Sequence, residues 1–330
     1  MGMRVLLLSP LPPEAVSTNL DPALGIEVIV PSERTVAAVI AAVRDVDIVM
    51  GDYSREIPVT AEVVAAMDRV IHFHQPTTGY DAVDDKALAA RGIPLTHAGD
   101  ATSIAMGEHT VMVTLALLKS LQWCHDQVRD GQWPQHEVVA RSLVELPNRT
   151  VGLVGMGNAA EEAAKRFIPF GPRLLYTARS RRSPEYEAAH GVEWATMDDL
   201  LAQSDVVCLM LPLTDETRHS IDAATIAKMK DGAFLVNPAR GELIDQPALV
   251  EALRSGKIKG AALDVLDPEP PSADDPILTL DNVILTPHVG GATLETRLRM
   301  LQRSFAVIAQ VAQGQFPDGV VNGVAAHPVR

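Results

Sequence analysis

The chain alternates short apolar runs with stretches of helical spacing, and it does so in two successive series. The apolar runs of the first series are Val5–Leu8, Val28–Val30, Ile48–Met50, Val70–Phe73 and Ile93–Thr96. Those of the second series are Val151–Val154, Leu174–Thr177, Val206–Leu211, Ala233–Asn237, Gly260–Asp264 and Val283–Leu285. Strands that alternate with helices in this way predict parallel sheets with crossover helices. We therefore expect an α/β fold with two doubly wound parallel-sheet domains and an interdomain cleft.

Two long helical stretches flank the second series. One runs from about Ile104 to Arg129, and the other begins near Thr293. Both repeat apolar residues at steps of three or four, which is the helical period. We expect these helices to cross between the domains. One domain then comprises residues 1–98 plus 293–330, and the other comprises residues 99–292.

The charge and the cysteines exclude several classes of protein. Forty-two acidic side chains against 28 basic ones give a net charge of −14, which argues against a nucleic acid or an anionic membrane as partner. No run approaches the roughly 18 apolar residues of a membrane span. The two cysteines, Cys124 and Cys208, support neither a disulfide framework nor a zinc site, and no metal is expected. We expect a soluble, cytoplasmic protein.

A strand, a tight turn and a helix follow one another from Val151 to Phe167. The turn contains Gly155 and Gly157, and Ala160 stands where a third small residue lets helix and strand pack closely. One glycine permits the sharp turn, and the other leaves room for a pyrophosphate at the helix N-terminus. A plain structural turn is the alternative. In this context the pattern predicts a dinucleotide site, which makes residues 99–292 the dinucleotide-binding domain.

The residues after the next strand bear on the choice of cofactor. An acidic residue there would bond the adenosine 2′-hydroxyl and select NAD, but this sequence has Ala178 followed by Arg179, Ser180, Arg181 and Arg182. Guanidinium groups and a hydroxyl suit a 2′-phosphate. A solvated basic loop is the alternative. We expect NADP(H) to be preferred, with NAD(H) possible.

Three polar side chains each follow a strand of the second series. They are Arg240 in Asn237-Pro-Ala-Arg-Gly241, Glu269 in Asp267-Pro-Glu-Pro270, and His288 in Thr286-Pro-His-Val-Gly290. Ligands of open α/β sheets bind beyond the carboxyl ends of the strands, so all three can converge on one crevice. Each alone has a structural alternative: a surface charge, a turn residue, or a histidine held for packing. Their joint position after a nucleotide turn favours a catalytic set.

These motifs, taken in order, resemble the D-isomer-specific 2-hydroxyacid dehydrogenase family, which includes glyoxylate and hydroxypyruvate reductases. The matching segments span most of residues 70–291. They are Gly79–Asp84, Gly107–Thr110, Gly152–Gly157, Ser204–Val207, Leu211–Thr214, Asn237–Gly241, Ala262–Val265, Pro268–Pro270 and Thr286–Gly291. The resemblance implies Rossmann- and flavodoxin-like domains, a catalytic Arg240, Glu269 and His288, and a substrate-binding role for the domain formed by residues 1–98 plus 293–330.

The resemblance also implies the remaining contacts. Substrate is expected at Thr78, Gly79, Arg240 and His288. Cofactor is expected, besides Gly155, Gly157, Arg179, Ser180 and Arg181, at Met156, Asn158, Ala159, Leu211, Pro212, Pro238, Ala239, Asp264 and Gly290, with Asp264 against the nicotinamide. A homodimer formed through the nucleotide domain is expected, with Trp123–Leu146 as the contact arm.

The implied roles agree with the chemistry of 2-keto acid reduction. Arg240 can grip carboxylate and carbonyl together, His288 can deliver the proton, and Glu269 can fix the histidine tautomer and favour its charged form. Departures from the family pattern at Thr77–Thr78, Met106–Gly107 and Asn158 leave the identity of the keto acid open. Arg55, His72 and His74 are further candidates for positive charge near substrate, with ordinary structural roles as the alternative.

Two other functions remain open at this point. A binding protein that senses nicotinamide cofactor on the same fold would keep the same three polar residues. A methyltransferase would use the glycine turn for S-adenosylmethionine, but it leaves Arg240, Glu269 and His288 unexplained.

Overall fold

The computed structural model describes residues 2–328. The chain forms two compact units, the first made of Met1–Ala101 and Thr293–Arg330 and the second made of Thr102–Ala292. The sequence predicts the first boundary after residue 98. The roles assigned to the two units, and a cleft between them, stay predictions.

Residues 2–328 contain twelve strands and twelve α-helices, numbered in chain order. The strands are β1 (Arg4–Leu7), β2 (Glu27–Ile29), β3 (Ile48–Met50), β4 (His72–Gln75), β5 (Leu95–His97), β6 (Thr150–Val154), β7 (Arg173–Thr177), β8 (Val192–Trp194), β9 (Val206–Leu209), β10 (Ala233–Asn237), β11 (Ile258–Leu263) and β12 (Val283–Leu285). The helices are α1 (Pro13–Ser17), α2 (Val36–Val43), α3 (Ala61–Ala65), α4 (Asp85–Ala90), α5 (Ser103–Leu118), α6 (Leu121–Arg129), α7 (Asn158–Phe167), α8 (Pro184–His190), α9 (Met197–Gln203), α10 (Ala223–Lys228), α11 (Gln246–Ser255) and α12 (Leu294–Ala312).

The first unit is a five-stranded parallel sheet covered on both faces. Its strand order is β2-β1-β3-β4-β5. Helices α2, α3 and α4 pack on one face through side chains such as Val39, Val63 and Leu88. On the other face α12 contributes Val307 and Val311. Because both faces are covered, the inner strands β1, β3 and β4 consist almost entirely of buried residues, as expected for a parallel sheet, whereas the edge strand β2 has none.

The second unit is a seven-stranded parallel sheet with the order β12-β11-β10-β9-β6-β7-β8. Helices α9, α10 and α11 bury Leu200, Ile226 and Leu249 against one face. Helices α5 and α7 bury Val113 and Phe167, among others, against the other face. The chain starts this sheet in the middle at β6, builds outward through β7 and β8, and then returns to build β9 to β12 on the other side. The prediction of two doubly wound parallel-sheet domains is confirmed.

The long helix predicted from Ile104 to Arg129 is two helices in the structure. Helix α5 ends at Leu118, Ser120 lies in the left-handed region with φ +48°, and α6 begins at Leu121 at an angle of 63° to α5. The apolar spacing continues across the break, so periodicity alone cannot detect it. Within residues 2–328 no single helix has the length and apolarity to cross a membrane, although this bent pair passes such a test when taken together.

The strand predicted at Val70–Phe73 lies two residues later, at His72–Gln75. A reading based on apolar residues ends at Phe73, because His74 and Gln75 are polar, yet both are buried. His74 contacts the hydroxyls of Thr96 and Ser304, and Gln75 donates to the Asp52 carbonyl and the Thr77 hydroxyl, so burial is possible. Strand β8 was not predicted, since it is a three-residue edge strand in which Glu193 and Trp194 are exposed.

Candidate active site

The glycine turn follows β6 and precedes α7, as predicted. Gly155 has φ +106°, and a Cβ there would lie 2.4 Å from the carbonyl oxygen of Met210. Only glycine fits this position, because both the backbone angle and the neighbouring carbonyl exclude a side chain. The amide of Gly155 donates to the carbonyl of Thr177 and the amide of Met210 donates to that of Val154, which ties the turn to the ends of two neighbouring strands.

The same turn has the features that a pyrophosphate requires. Gly157 is the N-cap of the ten-residue helix α7, and open space surrounds the position that its Cβ would occupy. Gly157 and Asn158 are exposed and Ala159 is half-buried, whereas Met156 and Ala160 are buried beneath them. The unpaired amides of a helix start and its dipole favour an anion. The residues present therefore fit a dinucleotide cofactor.

The basic run after β7 divides into arginines with different partners. Arg181 forms a two-point ion pair with Glu187, with both N–O distances 2.8 Å. Arg182 donates to the carbonyl oxygen of Met156 in the glycine turn at 2.6 Å and lies over the ring of Tyr186. Arg179 and Ser180 are exposed, and among the described residues Arg179 has no ion pair. The run is thus adjacent to the nucleotide turn, but only part of its positive charge is uncommitted.

Three neighbouring strands carry the predicted catalytic residues at their carboxyl ends. Strands β10, β11 and β12 are adjacent in the sheet, and they are followed by the segments that contain Arg240, Glu269 and His288. The glycine turn follows β6, with β9 between it and β10. Parallel strands end at the same edge of a sheet, so this edge of the second unit collects the nucleotide turn and all three polar side chains.

Gly241 brings the Arg240 loop against the loop that precedes Glu269. A Cβ on Gly241 would lie 2.0 Å from the carbonyl oxygen of Leu266, so the two backbones approach as only a glycine allows. The side chain of Asn237 closes the Arg240 loop on itself by donating to the carbonyl of Arg240 and accepting from the amide of Ala239. Arg240 is half-buried and donates to the Ala239 carbonyl at 2.7 Å.

Glu269 and His288 form a direct pair. Nδ1 of His288 lies 2.9 Å from Oε2 of Glu269, and each side chain is 36% exposed. The other carboxylate oxygen of Glu269 accepts the amide of Leu266 at 3.2 Å, which orients the carboxylate. A carboxylate accepts, so Nδ1 carries the proton of this bond and Nε2 is the atom that can exchange a proton with a substrate.

Asp264 holds the loop that carries His288. Its buried carboxylate accepts from the hydroxyl of Thr286 at 2.5 Å and from the amides of Val289 and Gly290 at 2.9 and 2.7 Å. The amide of His288 donates to the Asp264 carbonyl at 2.7 Å. These bonds retain His288 at φ +55°, a strained conformation of the kind that costs on the order of 1–3 kcal/mol for a residue other than glycine. The structure therefore gives Asp264 a positioning task besides the nicotinamide contact predicted for it.

The remaining predicted cofactor residues of the second unit line the same sheet edge. Leu211 and Pro212 follow β9, Pro238 and Ala239 follow β10, and Gly290 is the buried residue against Asp264. Among residues 2–328 no group of three or more His, Cys, Asp or Glu side chains is placed to hold a metal ion.

The predicted substrate loop, Thr78–Gly79, belongs to the first unit and follows β4. The threonines that depart from the family pattern turn their hydroxyls into the loop: Thr77 donates to the Gly79 carbonyl at 2.6 Å, and Thr78 donates to the Gly99 carbonyl at 3.0 Å. These bonds make the loop stiffer than glycines would. Whether the loop meets substrate stays a prediction.

The hypothesis that His72 and His74 add positive charge near substrate is wrong. Both rings are fully buried between β4 and α12. Burial lowers the pKa of His72 to about 3 and the pKa of His74 well below its ordinary value, so both rings are neutral at physiological pH. Arg55 pairs with Asp81 at 3.3 Å.

Sequence reasoning missed four residues that orient the site: Asn237, Thr286, Arg182 and Glu187. Asn237 and Thr286 lie inside the quoted motifs, next to residues that drew attention for their chemistry. Arg182 was grouped with its neighbours. Glu187 gave no signal, because a glutamate on an exposed helix has no distinguishing sequence context.

The chain is similar to several known proteins. The model of the protein family described as "D-isomer specific 2-hydroxyacid dehydrogenase, NAD binding domain" matches residues 111–290. The chain is 36% identical over 265 residues to a glyoxylate reductase of Thermofilum pendens, covering 80% of this chain and 78% of that protein. It is 36% identical over 251 residues to a glyoxylate/hydroxypyruvate reductase B of Salmonella paratyphi C, covering 76% and 77%.

A solved structure shares the fold of this chain. The D-lactate dehydrogenase of Aquifex aeolicus, in complex with NAD and lactic acid, superposes with a TM-score of 0.85 at 28% identity, covering 97% of this chain and 99% of that one. These relatives are enzymes, so they do not favour the alternative of a cofactor-sensing binding protein.

Proposed function

The chain belongs to the D-isomer-specific 2-hydroxyacid dehydrogenase family and is an NAD(P)-dependent oxidoreductase of hydroxy acids, and we propose that it reduces a small 2-keto acid through Arg240, Glu269 and His288. The single observation that carries the proposal is the 2.9 Å bond between His288 and Glu269, at the sheet edge that also holds Arg240 and the glycine turn. Glyoxylate and hydroxypyruvate are the first substrates to test, since related reductases are named for them.

Each side chain has a defined task in the proposed reaction. The guanidinium of Arg240 binds the substrate carboxylate and the carbonyl oxygen, which polarises the carbonyl. His288 holds a proton at Nε2 and delivers it to the oxygen that gains negative charge. Glu269 keeps the Nδ1 proton in place and balances the charge of the imidazolium. A nicotinamide cofactor held at the turn of Gly155 and Gly157 would supply the hydride to the carbonyl carbon. The amides of Thr78 and Gly79 would add contacts to the substrate carboxylate.

A panel of 2-keto acids, followed by NADPH and NADH absorbance, tests the reaction. His288→Asn should keep its fold and its cofactor affinity but lose turnover by a factor of at least about 10², the scale of general acid catalysis. His125→Asn is the matched control, because His125 is exposed on α6. Near-full turnover in His288→Asn would remove His288 from the mechanism. Binding of nicotinamide cofactor without turnover of any 2-keto acid would instead indicate a cofactor sensor.

The basic run supports a preference for NADPH over NADH. The loop has no carboxylate at the position that would bond the 2′-hydroxyl, and Arg179 is free to approach a 2′-phosphate. The double variant Arg179→Ala/Arg181→Ala should erase the preference, as measured by the ratio of kcat/KM for the two cofactors. A wild type that prefers NADH would refute the assignment.

The arm that includes α6 supports a homodimer. Large apolar side chains on it are exposed, with Trp133 at 77% and Val139 at 74%, and α6 has no buried residue. Large exposed apolar side chains concentrated on one arm favour association with another apolar surface. Light scattering after gel filtration should give twice the chain mass, and Trp133→Asp/Val139→Asp should give the single chain mass; a wild type with the single chain mass refutes the dimer. Two free cysteines, one of them buried, support a cytoplasmic location.

A further inference from the structure

The ion pair between Arg181 and Glu187 lies at the place where the proposed cofactor preference is decided. Helix α8 begins at Pro184, directly after the basic run, and positions Glu187 in its first turn. From there the carboxylate points back to the basic run and accepts hydrogen bonds from both Nε and Nη2 of Arg181, each at 2.8 Å. This is the bidentate geometry in which a guanidinium binds carboxylates and phosphates most strongly.

Glu187 is anchored more firmly than Arg181. Its side chain is only 12% exposed, whereas that of Arg181 is 56% exposed. The hydroxyl of Tyr176, on β7, donates to Oε1 of Glu187 at 2.9 Å and in turn accepts the amide of Arg182 at 2.8 Å. The Arg181 guanidinium, supported by this hydroxyl, holds the pKa of Glu187 below its ordinary value, so the carboxylate is charged at neutral pH.

A phosphate on the ribose would therefore meet an occupied guanidinium. Arg182 is held by the Met156 carbonyl, and Arg181 is already neutralised by Glu187, which leaves Arg179 as the one arginine of the described run without an ion-pair or hydrogen-bond partner. To bind a 2′-phosphate with the same edge, Arg181 must leave Glu187, and the phosphate must approach a fixed negative charge.

We infer that Glu187 is a specificity-determining residue that competes with the 2′-phosphate for Arg181 and so limits discrimination between NADPH and NADH. The inference rests on the proposed function, because it requires that the adenosine ribose lies at the basic run. The basic run alone does not predict the consequence: removing the Glu187 carboxylate, with no new positive charge, strengthens the preference for the phosphorylated cofactor.

Fragments of the two cofactors test this without any turnover. Titration calorimetry with 2′,5′-ADP and with 5′-AMP measures the contribution of the 2′-phosphate to binding. In Glu187→Gln, Gln can still accept from Tyr176 but cannot hold Arg181 as an ion pair. We expect 2′,5′-ADP to bind about fivefold more tightly than to wild type, the scale of an exposed salt bridge, with 5′-AMP unchanged.

Glu185→Gln is the matched control, since it removes the same charge from the same exposed helix turn without touching Arg181. In the Arg181→Ala background, Glu187→Gln should give a smaller gain than in wild type, because only the repulsion between the carboxylate and the phosphate remains to be relieved. Thermal unfolding of each variant verifies the fold.

The outcomes separate the inference from the proposed function. If wild type favours 2′,5′-ADP and Glu187→Gln strengthens its binding while Glu185→Gln does not, the inference is supported. If wild type favours 2′,5′-ADP but Glu187→Gln binds it equally or more weakly, the inference is overturned and the proposed preference stands. If neither wild type nor variant distinguishes the two fragments, the proposed NADP preference itself fails, and the inference fails with it.

Discussion

The buried histidines of β4 make the first unit sensitive to acid. Nε2 of His72 and Nδ1 of His74 both contact the hydroxyl of Thr96, at 2.8 and 2.9 Å, and Nε2 of His74 contacts the hydroxyl of Ser304 at 2.9 Å. The Ser304 hydroxyl donates to the carbonyl of Met300, so it must accept from His74. Thr96 then donates to His74 and accepts from His72. Each ring in this chain carries one proton and is neutral.

The size and direction of the effect of acid on stability follow from the pKa values of His72 and His74. Burial, with electrostatic repulsion from Arg303 as a smaller cause, lowers the pKa of His72 to about 3, and burial also lowers the pKa of His74. In the unfolded chain both rings take a proton as the pH falls through about 6.5. Stability is therefore fully present above that pH and is lost as the pH falls toward the folded pKa. Each ring lowers the free energy of unfolding by up to about 1.4 kcal/mol for each pH unit of acidification. Together the two rings lower it by about 4 kcal/mol between pH 8 and pH 5.

Hydrogen exchange measured by mass spectrometry on peptides that cover β4 gives the opening free energy at each pH, after correction for intrinsic exchange. His74→Gln should reduce the slope of this opening free energy against pH by about 1.4 kcal/mol per pH unit between pH 4 and pH 6. This expectation holds whatever the substitution does to stability at pH 8. His72→Gln should do the same, and His125→Gln, on exposed α6, should leave the slope unchanged. Wild-type slopes in both buried variants would refute the assignment of neutral rings.

Three further expectations concern the second unit. Asp264→Asn leaves one acceptor oxygen for three donors, so turnover should fall at least about tenfold, with a smaller loss in Thr286→Val, which removes only the hydroxyl; equal turnover in wild type and Asp264→Asn would contradict the positioning task. Gly241→Ala places a Cβ 2.0 Å from the Leu266 carbonyl, so differential scanning calorimetry should show destabilisation by about 1–3 kcal/mol and assays a loss of activity, whereas an unchanged melting temperature would show that the loops separate freely. Burial raises the pKa of the Cys208 thiol to about 12, so native protein should titrate with a thiol reagent at Cys124 alone, and rapid modification of Cys208 would contradict its burial.

The fold was predictable where local pattern and global architecture agree. Buried parallel strands such as β9 and β10 are continuous apolar runs, and their alternation with helices predicts a doubly wound sheet. Prediction failed where a polar residue is satisfied by distant partners. His74 can be buried in a strand because Ser304, 230 residues later, accepts a hydrogen bond from its Nε2, and no local window contains that information. The break at Ser120 was invisible for the converse reason, since the apolar spacing does not change there.

The candidate site shows the same division between backbone and side chains. Strand ends are determined by topology, so a sequence motif after a strand places Arg240, Glu269 and His288 at one edge with no knowledge of rotamers. A role for Asp264 was implied only by the family resemblance, and its three bonds to the His288 loop depend on how that loop folds back, which the motif does not encode.

The arginines of the basic run show why charge cannot be counted from sequence alone. The sequence alone does not distinguish between Arg179, Arg181 and Arg182, and the sum of their charges predicts a strong phosphate site. In the fold, α8 places Glu187 within reach of Arg181, and the glycine turn places a carbonyl within reach of Arg182. If the adenosine ribose lies at this run, as we propose, the electrostatic field there depends on which guanidinium remains unpaired, and Glu187 determines this for Arg181. Cofactor preference on this fold is in that sense a property of the contacts around the basic residues as much as of their number.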